Sequence, residues 1–263
     1  MRKAVPKKTV YYDDPLRDDF AGTSICKTQV DESFPYVRKN PIWRFFAWIV
    51  YYVIAIPLVW FYTVVLLQVK FVNRKGVRKA GKPCFLFGNH TGFIDAFTPN
   101  LISFPTRNKI VVSADTVSIK GLKTLVQMLG AIPVPTKRSG MKAFLNAVQT
   151  EAEKNNVTVY PEAHIWPYYT GVRPFESTPF AYPVRLGSPV VAFFTAYSKP
   201  KGFLSWFRKA NVTVYVSDPI YPDEGLTGKQ AQINLREKVY NFLLEKSSFS
   251  DYTVVEYVQR KTD

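Results

Sequence analysis

The sequence predicts an α/β fold: a mixed sheet flanked by helices, preceded by an N-terminal hydrophobic, membrane-embedded helical hairpin. Three observations lead there. From about residue 71 to 248, short β-rich runs alternate with stretches of helical periodicity. Phe45 to Leu67 forms an uncharged apolar block. Hydrophobic residues make up 47% of the 263 positions, ample for a full core.

Residues 1–43 read as a polar, partly disordered cytoplasmic lead. They lack the apolar stretch followed by small residues that marks a secretory signal. Residues 44–70 are the membrane element. As a helix, "FFAWIVYYVIAIPLVWFYTVVLL" spans roughly 34 Å, enough to cross a bilayer. Trp43, Trp48, Tyr51, Tyr52, Trp60 and Tyr62 suit an interfacial belt. Pro57, near the middle, removes a hydrogen bond and predicts a break. Both flanks are basic, with Arg38, Lys39 and Arg44 before and Lys70, Arg74, Lys75, Arg78 and Lys79 after. The positive-inside rule then puts both ends on the cytoplasmic side. A helix–break–helix hairpin satisfies both facts, and a single tilted span is the alternative.

Residues 71–248 carry the α/β domain. The strand candidates are Cys84–Phe87, Lys109–Ser113, Ala131–Val134, Val157–Tyr160, Val190–Tyr197 and Val212–Val216. Helical patterns fill Ile119–Leu129, Met141–Lys154 and Thr227–Lys246; Met141, Phe144, Leu145 and Val148 recur at the helical period. Residues 249–263 read as a short tail.

Lys and Arg number 35 against 20 acidic residues, a formal net charge of +15. Such an excess favours an anionic partner: nucleic acid, acidic lipid or a phosphorylated substrate. A nucleic-acid partner is disfavoured by the uncharged block and by the lack of helix-turn-helix, zinc or RNP-type signatures. Cys26 and Cys84 have no metal spacing and form no disulfide framework; Cys84, in an apolar run, reads as a buried free thiol, and a reducing compartment is expected.

Two short blocks hold both histidines. "FGNHTGFIDAF", Phe87 to Phe97, places His90 just past a strand and Asp95 five positions on. On a continuous helix these would diverge by about 140°. With His90 in a turn and Asp95 in the first helical turn they converge, and Gly88 and Gly92 would allow the tight backbone. A carboxylate on one imidazole nitrogen fixes the tautomer and leaves the other to take a proton. The spacing also fits a plain N-capping turn. "VYPEAHIWP", Val159 to Pro167, brings Glu162 and His164 to the end of another strand; a loop ordered by Pro161 and Pro167 is the other reading. Spacing gives no support to a metal site of His90, His164, Asp95 and Glu162.

Together these blocks resemble the glycerolipid acyltransferase family of the 1-acyl-glycerol-3-phosphate type. That family has an Asn-His-x4-Asp block, here Asn89, His90 and Asp95. Its second block follows a Gly-x-Ile-Pro-Val-like run, here Gly130 to Val134. Its third, Phe-Pro-Glu-Gly-Thr-Arg, corresponds to Tyr160-Pro161-Glu162, and its Pro-rich apolar strand to Pro189-Val190-Val191. The resemblance covers roughly residues 45–220 in order.

It implies a membrane-bound O-acyltransferase of phospholipid synthesis. A fatty acyl group would pass from acyl-coenzyme A or acyl carrier protein to a lysophosphatidic acid-like hydroxyl, with no cofactor and no metal. Membrane lipid and the thioester are the implied partners, and the catalytic domain would face the cytoplasm. His90 would be the general base and Asp95 its orienting carboxylate. Asn89, Gly92, Glu162 and His164 would stand at the substrate.

Departures bear on the acceptor. Gly92 replaces the family's usual serine, and Ala163-His164-Ile165 replaces Gly-Thr-Arg, so that block's phosphate-binding arginine is absent. The second block's arginine position is Thr136, with Lys137 and Arg138 next. Arg173 is a candidate to take over the lost charge. Backbone N–H groups near Gly92, or Lys137 or Arg138, would stabilise the oxyanion. Glycerol 3-phosphate or a lyso-glycolipid are alternative acceptors, and a catalytically silent lipid-binding relative is the non-enzymatic alternative. "SKPKGFLSWFRKA", Ser198 to Ala210, sets basic residues around Phe203, Trp206 and Phe207, as in a segment entering an anionic membrane face.

Overall fold

The computed structural model describes residues 8–20, 29–119 and 121–260; Cys26 and Lys120 lie outside them. The strands are β1 (Lys8–Tyr12), β2 (Lys70–Val72), β3 (Phe85–Gly88), β4 (Asn108–Val112), β5 (Ala131–Pro133), β6 (Asn156–Val159), β7 (Val190–Ser198), β8 (Asn211–Val216) and β9 (Val255–Gln259). The helices are α1 (Pro41–Leu66), α2 (Gly76–Lys79), α3 (Thr98–Ser103), α4 (Lys123–Met128), α5 (Met141–Ala152), α6 (Ala181–Leu186) and α7 (Gly228–Ser247).

Seven strands form one sheet in the order β2-β8-β7-β3-β6-β4-β5. All neighbours run parallel except β7 and β8, so the sheet is mixed. The central strand β3 is buried along its whole length. Its side chains alternate between faces as the pleat requires. Phe85 and Phe87 enter a core with Phe144 and Val148 of α5 and Leu235, Val239 and Leu243 of α7. Leu86 enters the opposite core with Ile94, Ile102, Val191 and Phe193. A strand buried on both faces must be apolar at every position, which is why "CFLF" reads as a continuous run.

The hairpin is not formed: α1 is one continuous helix of 26 residues. Asn40 caps it, its side chain accepting from Ile42 and Trp43 N–H at 2.9 and 3.1 Å. Pro57 does not break it, because the turns ahead widen over Ile49–Ala55 and Ile56 N–H reaches Tyr51 C=O, five residues back. Such widened turns absorb a proline's missing donor and bulky ring.

α1 also does not stand free. Ala47, Tyr51 and Thr63 are buried against the domain. Tyr51 Oη donates to Asn100 Oδ1 (3.1 Å) and accepts from Asn108 N (3.0 Å). Tyr52 Oη donates to Pro105 C=O (3.0 Å), and the Arg107 guanidinium lies 4.8 Å over the Tyr51 ring. The outer face, including Phe45, Trp48, Val53, Leu58 and Phe61, is exposed and apolar. Among the described residues α1 is the one helix long and apolar enough to cross a membrane.

The lead and the tail are structured where described. β1 and β9 pair in parallel, Lys8 with Val255 through Tyr12 with Gln259. Neither strand is persuasive alone, since each finds its partner some 250 positions away and a local reading cannot see it.

Gly88 closes β3 where only a hydrogen fits: a Cβ there would sit 2.3 Å from the Phe193 ring. Gly88→Ala should destabilise the fold by about 1–3 kcal/mol through overpacking. A lowered denaturation midpoint in detergent checks this, with the slope unchanged.

Candidate active site

The parallel strands β3, β6, β4 and β5 deliver their loops to one edge of the sheet, the usual place for ligands in α/β folds. At the end of β3, Asn89 turns into the core. Its amide accepts from Thr195 N–H (2.8 Å) and donates to Thr195 C=O (3.2 Å), extending the β3–β7 ladder by a side chain. Fully buried, Asn89 is committed to the scaffold and does not reach the substrate side, contrary to its expected role.

His90 follows in the turn. Its Nδ1 lies 2.9 Å from Asp95 Oδ2. The same carboxylate oxygen accepts from Thr91 N–H at 2.6 Å and Gly92 N–H at 2.9 Å. One oxygen thus serves as cap and as histidine partner, so the two readings of the spacing coexist. Asp95 is fully buried and its Oδ1 has no hydrogen-bond partner. An acceptor so placed requires the proton on Nδ1, which leaves the Nε2 lone pair outward. The imidazole stacks on Tyr160, centroids 4.3 Å apart, and Tyr160 Oη donates to Asp95 C=O at 2.5 Å. Burial, and then the Asp95 charge, hold the Tyr160 and Tyr197 hydroxyls well above the ordinary tyrosine range, so both remain donors.

Gly92 has φ 165°, extended backbone open to any residue, so the conformational need expected there is absent. An added Cβ would meet only Tyr197 Oη, at 4.0 Å. The Thr91 and Gly92 N–H groups point to Asp95 and are not free as oxyanion donors.

The third block is bolted beneath His90. Glu162 Oε2 accepts from His90 N–H (3.2 Å) and from Arg173 Nη2 (3.2 Å), and Oε1 accepts from Arg173 N–H (3.0 Å). Trp166 N–H donates to His90 C=O (3.2 Å) and Tyr168 N–H to Thr91 C=O (2.8 Å). Burial pushes the Glu162 carboxyl up, opposed by the Arg173 guanidinium. Ala163 and Tyr168 hold φ of 62° and 60° in this loop. That left-handed region is costly for residues with a Cβ, and the third block of the resembled family has glycine at the first of these positions.

Arg173 is only 1% exposed. Besides Glu162, its guanidinium donates to Pro15 and His164 carbonyls and lies 4.9 Å over Trp166. It therefore cannot meet a substrate phosphate, and the expectation that it replaces the missing arginine is corrected. Glu162 acts on the His90 backbone and does not touch the acceptor side. His164 Nδ1 pairs with Asp19 Oδ2 at 3.4 Å in the N-terminal strap, away from the base. Thr136, Lys137 and Arg138 follow β5, three strands from β3 and thus roughly 14 Å away across the sheet. Thr136 and Lys137 contact Val30 and Gln29, and none of the three lines the cleft beside His90.

That cleft holds about 660 Å³. Its lining is mostly apolar or aromatic: Tyr62 and Leu67 from the end of α1, Phe93, Ile94, Ile119, Tyr168, Tyr197, Phe207 and Val212; His90 does not line it, but Thr91 and Gly92, the two residues that follow, do. Tyr160, Trp166, Tyr168 and Tyr197 carry roles that spacing did not reveal. The sole hint was Tyr160, where the resembled block has phenylalanine. Among the described residues no group of three His, Cys, Asp or Glu side chains is placed to hold a metal ion. Cys84 is buried, its thiol pushed up to about 12 by burial.

Residues 68–196 match the Acyltransferase family model. The fold is similar to the crystal structure of the 1-acyl-sn-glycerophosphate (LPA) acyltransferase PlsC from Thermotoga maritima. The TM-score is 0.48 at 13% identity, covering 78% of this chain and 93% of that one. No curated protein matches by sequence.

Arg173→Met leaves Glu162 buried without its partner and should cost about 3–5 kcal/mol of stability. Adding Glu162→Gln should recover part of that loss. A denaturant double-mutant cycle measures the coupling; a raised acceptor KM at wild-type stability would contradict the scaffold role.

Proposed function

We propose that this chain, whose residues 68–196 match the Acyltransferase family model, moves a fatty acyl group from an acyl thioester to the hydroxyl of a lysophosphatidic acid-like acceptor. One observation carries the reading: the 2.9 Å contact between His90 Nδ1 and a wholly buried Asp95. A binding module has no need of an oriented base.

In the mechanism, Nε2 of His90 takes the proton of the acceptor hydroxyl as its oxygen attacks the thioester carbonyl. The tetrahedral intermediate collapses, the carbon–sulfur bond breaks, and the proton passes from His90 to the departing thiolate. No acyl-enzyme forms. The Asp95 carboxylate steadies the imidazolium between these steps. The apolar cleft suits the acyl chain, and the +15 charge suits the phosphates of coenzyme A or an acidic carrier protein. Burial of Arg173 favours keeping a second reading, in which the acceptor is a lyso-glycolipid.

The membrane reading rests on α1. It packs against the domain from Ala47 to Thr63, so the helix lies along one leaflet with its outer face in lipid. The exposed Phe203 and Trp206 among Lys199, Lys201 and Lys209 extend that surface. Both basic flanks then stay cytoplasmic. Cysteines at Lys39 and Lys75 should label from the same side; opposite-side labelling would sink the leaflet arrangement.

With acyl-coenzyme A and lysophosphatidic acid, His90→Ala should lower turnover by about 10²–10⁴-fold while vesicle binding persists. Turnover that survives the substitution would remove His90 as base. Transfer only to glycerol 3-phosphate or a phosphate-free lyso-lipid would keep the mechanism and change the acceptor.

A further inference from the structure

Every cation expected at the acceptor phosphate lies away from the cleft: Arg173 is buried under Glu162, and Lys137 and Arg138 sit beyond β5. The cleft nevertheless has two cationic lining residues, Arg208 and Lys209, both from the loop between β7 and β8. Arg208 is 7% exposed and both of its terminal amino groups donate to carbonyls, while its Nε has no hydrogen-bond partner. Nη1 donates to Leu67 C=O (3.0 Å), and Nη2 to Lys201 C=O (3.0 Å) and Phe203 C=O (3.2 Å). It closes the loop on itself and ties it to the end of α1, which fixes the backbone from which Lys209 projects.

Lys209 is different. It is exposed, it lines the cleft, and its ammonium lies 5.7 Å from the centroid of Tyr168. Tyr168 donates its N–H to Thr91 C=O, one residue from the base, and packs on Tyr197 with ring centroids 5.3 Å apart. Like most lysines of the chain, Lys209 has no carboxylate partner among the described ion pairs; what sets it apart is that, among the described residues, it is the one lysine lining the cleft. Asp115 is the cleft's one lining carboxylate and belongs to the turn after β4, where Ser113 Oγ donates to it at 3.2 Å. A lysine held over an aromatic face in the lining of an apolar cleft is a point charge available to a phosphate.

Resting on the acyl-transfer reading, we infer that Lys209 is the specificity-determining residue for a phosphomonoester on the acceptor. The charge lost from the third block is thus supplied from the β7–β8 loop, on the wall that the end of α1 also forms.

The test is direct binding to the full chain in detergent micelles. The probes are a short-chain lysophosphatidic acid, the monoacylglycerol of the same chain, and coenzyme A, each with wild type, Lys209→Gln and Lys209→Arg. Wild type should prefer lysophosphatidic acid to monoacylglycerol by at least about tenfold, the worth of one charge-assisted contact. Lys209→Gln should erase that preference without weakening monoacylglycerol binding, and Lys209→Arg should keep most of it. A preference that survives Lys209→Gln, or is missing from wild type, overturns the assignment. So does an equal loss for both lipids, which would mark a structural role. Weakened coenzyme A binding with lysophosphatidic acid unaffected also overturns it, by giving Lys209 to the donor. These readouts need no turnover, so an intact preference in a chain that transfers no acyl group would fault the catalytic reading alone.

Discussion

A carboxylate buried without donors is among the costliest groups a protein can hold, and Glu162 is fully buried beneath the active-site turn. Its oxygens gather the His90 N–H, the Arg173 N–H and the Arg173 guanidinium. Satisfying that one side chain joins the exit of β3 to the loop after β6. It also draws in the N-terminal strap, because Arg173 donates in addition to Pro15 C=O. The orientation of His90 depends on this hub as much as on Asp95. Asp95 holds the ring, and Glu162 holds the backbone that carries it.

Around the hub the chain ends act as a clamp. Trp166 packs against Tyr12, Phe20, Tyr169 and Tyr257, and its indole N–H donates to Asp18 C=O at 2.8 Å. Tyr257 Oη donates to Pro167 C=O at 3.0 Å. Residues from both ends of the described chain thereby enclose the loop that supports His90. The loop needs that support, since Ala163 and Tyr168 sit in the left-handed region where L-residues are strained. On the opposite side of the cleft, Arg208 joins the end of α1 to the β7–β8 loop. That contact makes the cleft wall and the end of the long apolar helix one mechanical unit.

The six strands from "CFLF" to "NVTVYV" were legible from continuous apolar runs where both faces are buried, as in β3 and β7, and from period-two alternation where one face is buried, as in β8; their observed bounds differ from the expected ones by a residue or so. α5 and α7 were legible from their helical periodicity. Short elements such as β2 and α3 were not, since three to six residues leave no period to read. Within the site, His90 and Asp95 were legible because a five-residue spacing across a strand exit brings them together. Asn89, Glu162 and Arg173 were noticed for their chemistry, yet that chemistry is turned inward. Polarity in a sequence does not distinguish a group facing substrate from one completing the hydrogen bonds of the core.

By itself the sequence determined the α/β class, the apolar helix, and the histidine–carboxylate pair, because each rests on short-range pattern or on residues close along the chain. Only the tertiary structure decided that α1 runs unbroken and docked, through a widened turn ahead of Pro57 and the contacts of Tyr51. It alone paired β1 with β9, and it alone separated the cations. Arg173 went to the core, Lys137 and Arg138 to a distant strand end, and Lys209 to the cleft. The physical reason is the same in each case. These outcomes depend on which distant backbone and side-chain groups must be satisfied together, and that is settled only when the sheet is assembled.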